Sequence, residues 1–311
     1  MTNEIKKIRV AFFGSSEFSV PTLKYLFLDK EIDVISVITL PPAEKNRGKK
    51  LSNNIVYDFA VQNGVDVNRI FIPEKLKNNN EILSILKEQN LDFIVVVSYG
   101  KIIPKEIIDL PNFEILNLHP SRLPKYRGAA PIERAIEAGE KEIDICIMKV
   151  DVGLDTGDVA KRLPYSLNKT LTARDIVPEI AEIGGKLMVD TIKQCFEKNI
   201  IFTPQSNEGM IYAKKIEKSE LFLNLEDKDL DTEQVFNKIR AFNNCGGCYF
   251  MLDNQRIKIL SCELQKCNNI ALGFNKNDGC LYFKNGIIRP IIIQKEGKKP
   301  MTLKDFLNGL K

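Results

Sequence analysis

Of 311 residues only one is a histidine, and it stands in the stretch EILNLHPSRLPKYRGAAPI, from Glu114 to Ile132. Asn117 lies two positions before His119, so on a strand both side chains leave by the same face. Asp155 follows 36 residues after the histidine, in VDVGLDTGD. An amide, an imidazole and a carboxylate can together hold a developing oxyanion and move a proton, which is what acyl transfer requires. No serine or cysteine nucleophile stands beside the histidine. Ser121 is in a proline turn, not on the strained strand-to-helix elbow that presents a nucleophilic serine. The nucleophile is therefore expected to be an amine carried by the substrate. The same residues also suit a plainer reading, with His119 a satisfied polar group at a strand end and LDTGD a turn closed by an Asx hydrogen bond.

Other chemistries find less support. No GxGxxG follows the first strand-like segment and GxxxxGK[ST] is absent, which argues against dinucleotide and P-loop phosphate binding. The chain has seven cysteines. Cys245 and Cys248 have the spacing of a zinc or redox pair, but Cys262 and Cys267 are spaced more widely and no histidine is near. We expect reduced structural thiols and no metal.

The elements that must position these residues are legible as an alternation over residues 7–160. Strand patterns at 7–14, 33–40, 92–100, 113–119 and 142–150 are separated by helical patterns at 19–28, 53–64 and 131–139. DFIVVVSYG is a continuous β-branched run, as a strand buried on both faces requires. The alternation predicts an α/β fold with a Rossmann-like, mostly parallel sheet covered by helices. In such sheets ligands bind beyond the carboxyl ends of the strands, where GSSEF, SYGKIIP, HPSRLP and DVGLDTGD are expected. A long helix over 172–199 closes this part. An extended polar connection over 203–218 precedes one helix (231–242) and several short strands, which predict a small β-barrel or sandwich. We expect domains at 1–203 and 204–311, with a linker about 203–210.

The hydrophobic fraction of 44% with 28% charged residues is that of a globular protein. No stretch approaches the ~18 apolar residues of a membrane span, and the opening residues run directly into a strand pattern, so a cytoplasmic protein is expected. The net charge of +4 is unevenly placed: residues 204–311 hold 17 Lys and Arg against 13 Asp and Glu, leaving the first 203 residues neutral. From Phe250 onward the tally is 11 against 5. A basic module behind a neutral one suits an anionic macromolecule, although a solvated basic face would look the same.

LNLHPSRLPKYRGAAPI with VDVGLDTGD resembles the formyltransferases that use 10-formyltetrahydrofolate. RGKKL, VVVSYGKIIPKEIIDLP, RAFN and EGKKPMTLKDFLNG, together with the basic tail, make the resemblance closest to the branch that acts on methionyl-tRNA. It covers nearly the whole chain. The resemblance implies 10-formyltetrahydrofolate as co-substrate, initiator methionyl-tRNA as acceptor, a monomer, and an OB-like β-barrel that binds the tRNA backbone. It implies that Asn117 and His119 bind the formyl oxygen and that Asp155 orients the histidine. It further implies that Ser121, Arg122, Leu123 and Pro124 contact folate, with a cis bond before Pro124, and that Arg47, Lys49 and Lys50 approach the acceptor end of the tRNA. Formyltransferases acting on sugar nucleotides or in purine synthesis, and formyltetrahydrofolate hydrolases, would share the catalytic set. They have no evident use for the basic tail, and a hydrolase would be expected to carry a regulatory domain before the sheet. An RNA-binding protein without enzyme activity would leave the Asn, His and Asp unexplained.

Overall fold

The computed structural model describes residues 6–45, 50–227, 229–267 and 272–310, the side chains of 44, 45 and 50 excepted. Two compact units emerge, and they interleave along the chain: the first comprises residues 1–127, 144–164 and 178–211, the second 128–143, 165–177 and 212–311.

In chain order the elements of the first half are β1 (Ile8–Gly14), α1 (Val20–Leu28), β2 (Ile32–Ile38), β3 (Ala43–Lys45), β4 (Lys50–Ser52), α2 (Ile55–Gln62), β5 (Ile70–Phe71), α3 (Asn80–Glu88), β6 (Phe93–Val97), α4 (Lys105–Ile108), β7 (Glu114–His119), β8 (Lys125–Gly128), α5 (Pro131–Glu137), β9 (Glu142–Lys149), β10 (Val159–Ser166) and α6 (Ala173–Phe196). A seven-stranded sheet has the order β10-β9-β7-β6-β1-β2-β5. β1 pairs in parallel with β2 and β6, β2 with β5, and β6 with β7. All five residues of β6 are buried, as its β-branched run predicts. One face of the sheet carries a core that includes Ala11, Phe13, Ile38, Ile94, Val96 and Ile115.

One pairing departs from the expected alternation. β9 runs antiparallel to β7, with His119 opposite Cys146 and Leu116 opposite Lys149. The period-2 pattern of a strand fixes which residues face the core but not which way the strand runs. As a result the loop to Asp155 leaves the sheet beside the amino-terminal half of β7, where the Val150 amide donates to the Ile115 carbonyl at 2.9 Å, and returns to His119 at the end of that strand. Behind β7 lies α6. A Cβ on Gly184 would stand 2.6 Å from a Leu118 methyl, and one on Gly185 would stand 2.9 Å from the Tyr25 ring. Two glycines therefore let α6 close onto β7 and α1 at a distance that any side chain would prevent.

The second half adds β11 (Ile211–Ala213), α7 (Thr232–Ala241), β12 (Tyr249–Leu252), β13 (Gln255–Lys266), β14 (Gly273–Phe274), β15 (Leu281–Phe283), β16 (Gly286–Lys295), β17 (Met301–Thr302) and α8 (Leu303–Asn308). Here the sheet is antiparallel, in the order β12-β13-β16-β15-β14, with β17 also on β16. Its end strands meet through side chains, the Phe250 and Phe274 rings lying 5.1 Å apart, so the sheet curls into a half-barrel. The expected α/β class with a small curled β module is what the chain forms. Pro290 sits mid-strand in β16 opposite Cys262, where the register slips. Proline, having no N–H for the ladder, is tolerated at such a bulge. α7 is capped by Asp231, whose carboxylate accepts from the Glu233 and Gln234 amides. Cys248 is buried and its thiol is pushed up to about 12 by desolvation. Among the described residues no group of three or more His, Cys, Asp or Glu could hold a metal ion.

Candidate active site

His119 ends β7 with 4% of its surface exposed. Its Nε2 lies 2.9 Å from the Tyr126 carbonyl oxygen. A carbonyl only accepts, so Nε2 must carry the proton, and the neutral ring has its lone pair on Nδ1. Nδ1 faces the Asp155 carboxylate at 3.7 Å, with both side chains largely buried. That distance is beyond direct hydrogen-bond range and within reach of a strong electrostatic interaction. Asn117, two residues before on the same strand, is partly buried and opposes Met148 of β9.

Three non-glycine residues near these groups adopt the left-handed region: Ser98 (φ 45°), Tyr126 (φ 63°) and Asp155 (φ 51°). A bulky residue there is strained by about 1–2 kcal/mol and persists only when its surroundings over-determine it. For Asp155 part of that support comes from its own loop. Asp151 accepts from the Gly153 amide at 2.8 Å and from the Thr156 hydroxyl, so the Asx turn forms at Asp151, ahead of the LDTGD stretch in which one was expected. Gly157 passes so close to the Lys149 carbonyl that a Cβ would stand 2.1 Å from it. Asp155 is thereby left to face the imidazole.

The segment Ser121–Pro124 is pinned from the neighbouring strands. The buried Cys146 thiol donates to the Ser121 carbonyl at 3.1 Å, and desolvation pushes that thiol up to about 12. Arg162 donates to the Leu123 carbonyl at 2.8 Å, and the Leu123–Pro124 bond is cis. Asp144, itself buried, lies 3.6 Å from Arg162 and 3.9 Å from Arg122. Ser121 and Leu123 turn inward with buried side chains, while Arg122 is exposed and Pro124 partly so. The Ser121 hydroxyl and the Tyr99 hydroxyl at the end of β6 are both buried without a hydrogen-bond partner. Desolvation pushes the Tyr99 phenol up to about 12.

The structure thus brings Asn117, His119 and Asp155 into one neighbourhood and sets residues 121–124 directly after it in the chain. Arg47 and Lys49 lie outside the described residues, and Lys50 is described only as backbone in β4. Sequence reasoning missed two residues here. Arg127 is buried, with 3% of its surface exposed, and its guanidinium is held by Gln205, which comes from the connection read as a polar linker. The only available signal was an arginine in YRG and a glutamine in TPQ, and neither type implies burial.

With this geometry in hand the comparisons are specific. The formyl transferase family matches residues 6–192 and its C-terminal domain matches residues 215–311. Among solved structures, methionyl-tRNA formyltransferase from Clostridium thermocellum superposes with a TM-score of 0.56 at 19% identity, covering 85% of this chain and 96% of that one. The sugar 3N-formyl transferase WlaRD, solved with dTDP and 5-N-formyl-THF, gives 0.63 at 20% identity, covering 94% and 99%. Such identities speak to the fold alone. Fold and family match together define a formyl transferase. The methionyl-tRNA formyltransferase of Sulfurihydrogenibium sp. is 35% identical over 98% of this chain and 97% of its own length, and that of Thermodesulfovibrio yellowstonii is 37% identical over 97% and 96%. The chain belongs to the methionyl-tRNA formyltransferase family.

Proposed function

We propose that the protein transfers the formyl group of 10-formyltetrahydrofolate to the free α-amine of methionyl-initiator-tRNA, giving N-formylmethionyl-tRNA for translation initiation. The observation that carries this reading is the chain's one imidazole, set between a carbonyl and the Asp155 carboxylate, with Asn117 on the same strand face. The attacking amine must be uncharged, and an α-amine has a pKa of about 7.7–8.0, so a large share is competent near neutral pH. The reaction therefore needs a preorganised electrostatic site more than a strong base.

As the amine nitrogen bonds to the formyl carbon, negative charge grows on the formyl oxygen, where the Asn117 amide donates. The bond to N10 then breaks, N10 gains a proton and the amine loses one. Nε2 of His119 is committed to the Tyr126 carbonyl, so proton handling falls to Nδ1, and Asp155 stabilises the ring when it is charged. Folate contact falls to Arg122, Pro124 and the backbone of 121–124, because Ser121 and Leu123 form the inner face of that segment.

Residues 1–203, with the connection that supplies Gln205, would carry this chemistry and the chain beyond that connection the affinity for tRNA backbone, with Arg47, Lys49 and Lys50 at the acceptor end. We assign the protein to the cytoplasm as a monomer. Among the described residues no helix is long and apolar enough to cross a membrane. The test is formyl transfer to charged initiator tRNA, with charged elongator tRNA, free methionine and an amino-sugar nucleotide as controls. Transfer to the amino sugar in preference to the initiator tRNA would overturn the reading.

A further inference from the structure

Gln205 uses both ends of its amide. Its oxygen accepts from Arg127 Nε at 3.1 Å and Nη2 at 2.8 Å, and its nitrogen donates to the carbonyls of Asp155 at 3.0 Å and Gly157 at 2.7 Å. This orientation is forced, because a guanidinium cannot accept and a carbonyl cannot donate. Gln205 is itself anchored by the strand bridge between Thr203 and Val159, two reciprocal bonds of 2.9 Å. Nη1 of Arg127 reaches Asn207 at 3.5 Å and the Met210 sulfur at 3.4 Å. Among the described residues the partners of this buried charge are all neutral, whereas a charge placed for stability alone usually meets a carboxylate.

The two ends of this chain of contacts meet the two sides of one ring. Arg127 shares a peptide unit with the Tyr126 carbonyl that accepts from His119 Nε2. Gln205 holds the backbone of Asp155, whose carboxylate faces Nδ1. Tyr126 and Asp155 are both in the left-handed region. We propose that Arg127 and Gln205 are positioning residues that hold these two strained partners of His119, and so fix the tautomer and orientation of the imidazole. The role in turnover rests on the function proposed above; the role in setting the ring does not.

Because His119 is the only histidine, untagged protein labelled with ¹⁵N-histidine reports that ring alone. In the wild-type protein the neutral ring should be the Nε2–H tautomer. Gln205→Ala, and Gln205→Glu, which keeps an acceptor for Arg127 but loses both donors, should shift or broaden the imidazole signals. Both should lower kcat on the order of 10²-fold, as a small misplacement of a reacting group does, with KM for folate and tRNA within a few-fold of wild type. Arg127→Lys, which keeps the charge and loses the fork, should do the same more weakly. Circular dichroism selects the folded variants, and if Gln205→Ala does not fold, Gln205→Glu decides on the same readouts. An unchanged imidazole spectrum in a folded Gln205 variant overturns the proposal, whether or not kcat falls. An altered spectrum in the Gln205 variants, with no formyl transfer by the wild-type protein itself, would instead count against the function and leave the positioning role standing.

Discussion

Two arginines, Arg127 buried and Arg134 partly buried, show how alike a functional and a structural polar network look until their ends are traced. Arg134, in the second unit, bonds Glu220 at 2.8 and 2.9 Å and Glu137 at 2.8 Å, and its guanidinium lies over the Phe242 ring. There the cation is met by two carboxylates, and among the described residues the network leads to no left-handed residue. Arg127 is met by the neutral Gln205, Asn207 and Met210, and its contacts lead to two left-handed residues and the only imidazole. A network in which a cation ends on carboxylates holds a fold together. One that ends in strain holds a geometry the fold would not choose, which is why strain gathers at sites of function.

The sharpest way to break the comparison is to remove the reacting groups beside the Arg127 network. Asn117→Ala and His119→Ala should each cost about 10²–10³ in kcat, roughly 3–4 kcal/mol of transition-state stabilisation, with tRNA binding retained. Asp155→Asn should fall in the same range, since it keeps the shape and removes the charge beside Nδ1. Near-normal turnover in any of the three would remove that residue from the mechanism.

The converse holds for the Arg134 network. Glu220→Gln should destabilise the protein by about 2 kcal/mol through lost charge-assisted hydrogen bonds, while kcat of the folded protein stays at the wild-type value. Arg134 holds the Glu220 carboxyl below the usual carboxylate range, chiefly by hydrogen bonding. A carboxylate whose folded pKa is depressed stabilises the protein fully above its unfolded pKa of about 4.3 and loses that contribution as pH falls towards the folded value. The stability gap between wild type and Glu220→Gln should therefore be widest near neutral pH and close in acid. Urea denaturation at several pH values measures it, and a gap independent of pH would show that Glu220 acts by packing.

Residues whose environment follows from local pattern were legible, and those whose role depends on distant chain were not. FIVVV announces a strand buried on both faces, and the solitary histidine beside an asparagine announces a site. α3 was absent from the expectation although NEILSILKE has helical spacing and an Asn79 cap, so its omission was avoidable. The antiparallel direction of β9 was not readable, because side-chain alternation is the same either way. Gln205 stands in TPQSNEG, a tract with every mark of a surface loop. Its pairing with Arg127 exists only once Thr203 has paired with Val159, 44 positions earlier in the chain.

The weakest expected effect concerns the charge that divides the chain. Residues from Phe250 onward carry 11 Lys and Arg against 5 Asp and Glu, and Lys298 and Lys299 are exposed in the turn after β16. Truncating the tail is a poor test of its role, because the second compact unit also draws on residues 128–143 and 165–177, which a cut near 203 would strip of their packing partners. Point substitutions in the full chain avoid this. If these lysines meet tRNA phosphates, each releases counterions on binding, and Lys298→Ala or Lys299→Ala should reduce the slope of log affinity against log salt by roughly 0.7–1. Affinity for initiator and elongator tRNA should fall alike, by a few-fold at low salt, because phosphate contacts carry no sequence information. kcat at saturating tRNA should not change. The measurement is tRNA binding across a salt series for wild type, each single variant and the double variant. Slopes that overlay the wild type would leave these two lysines a solvated surface, and the pairing of a neutral chemical unit with a basic binding unit would need another basis.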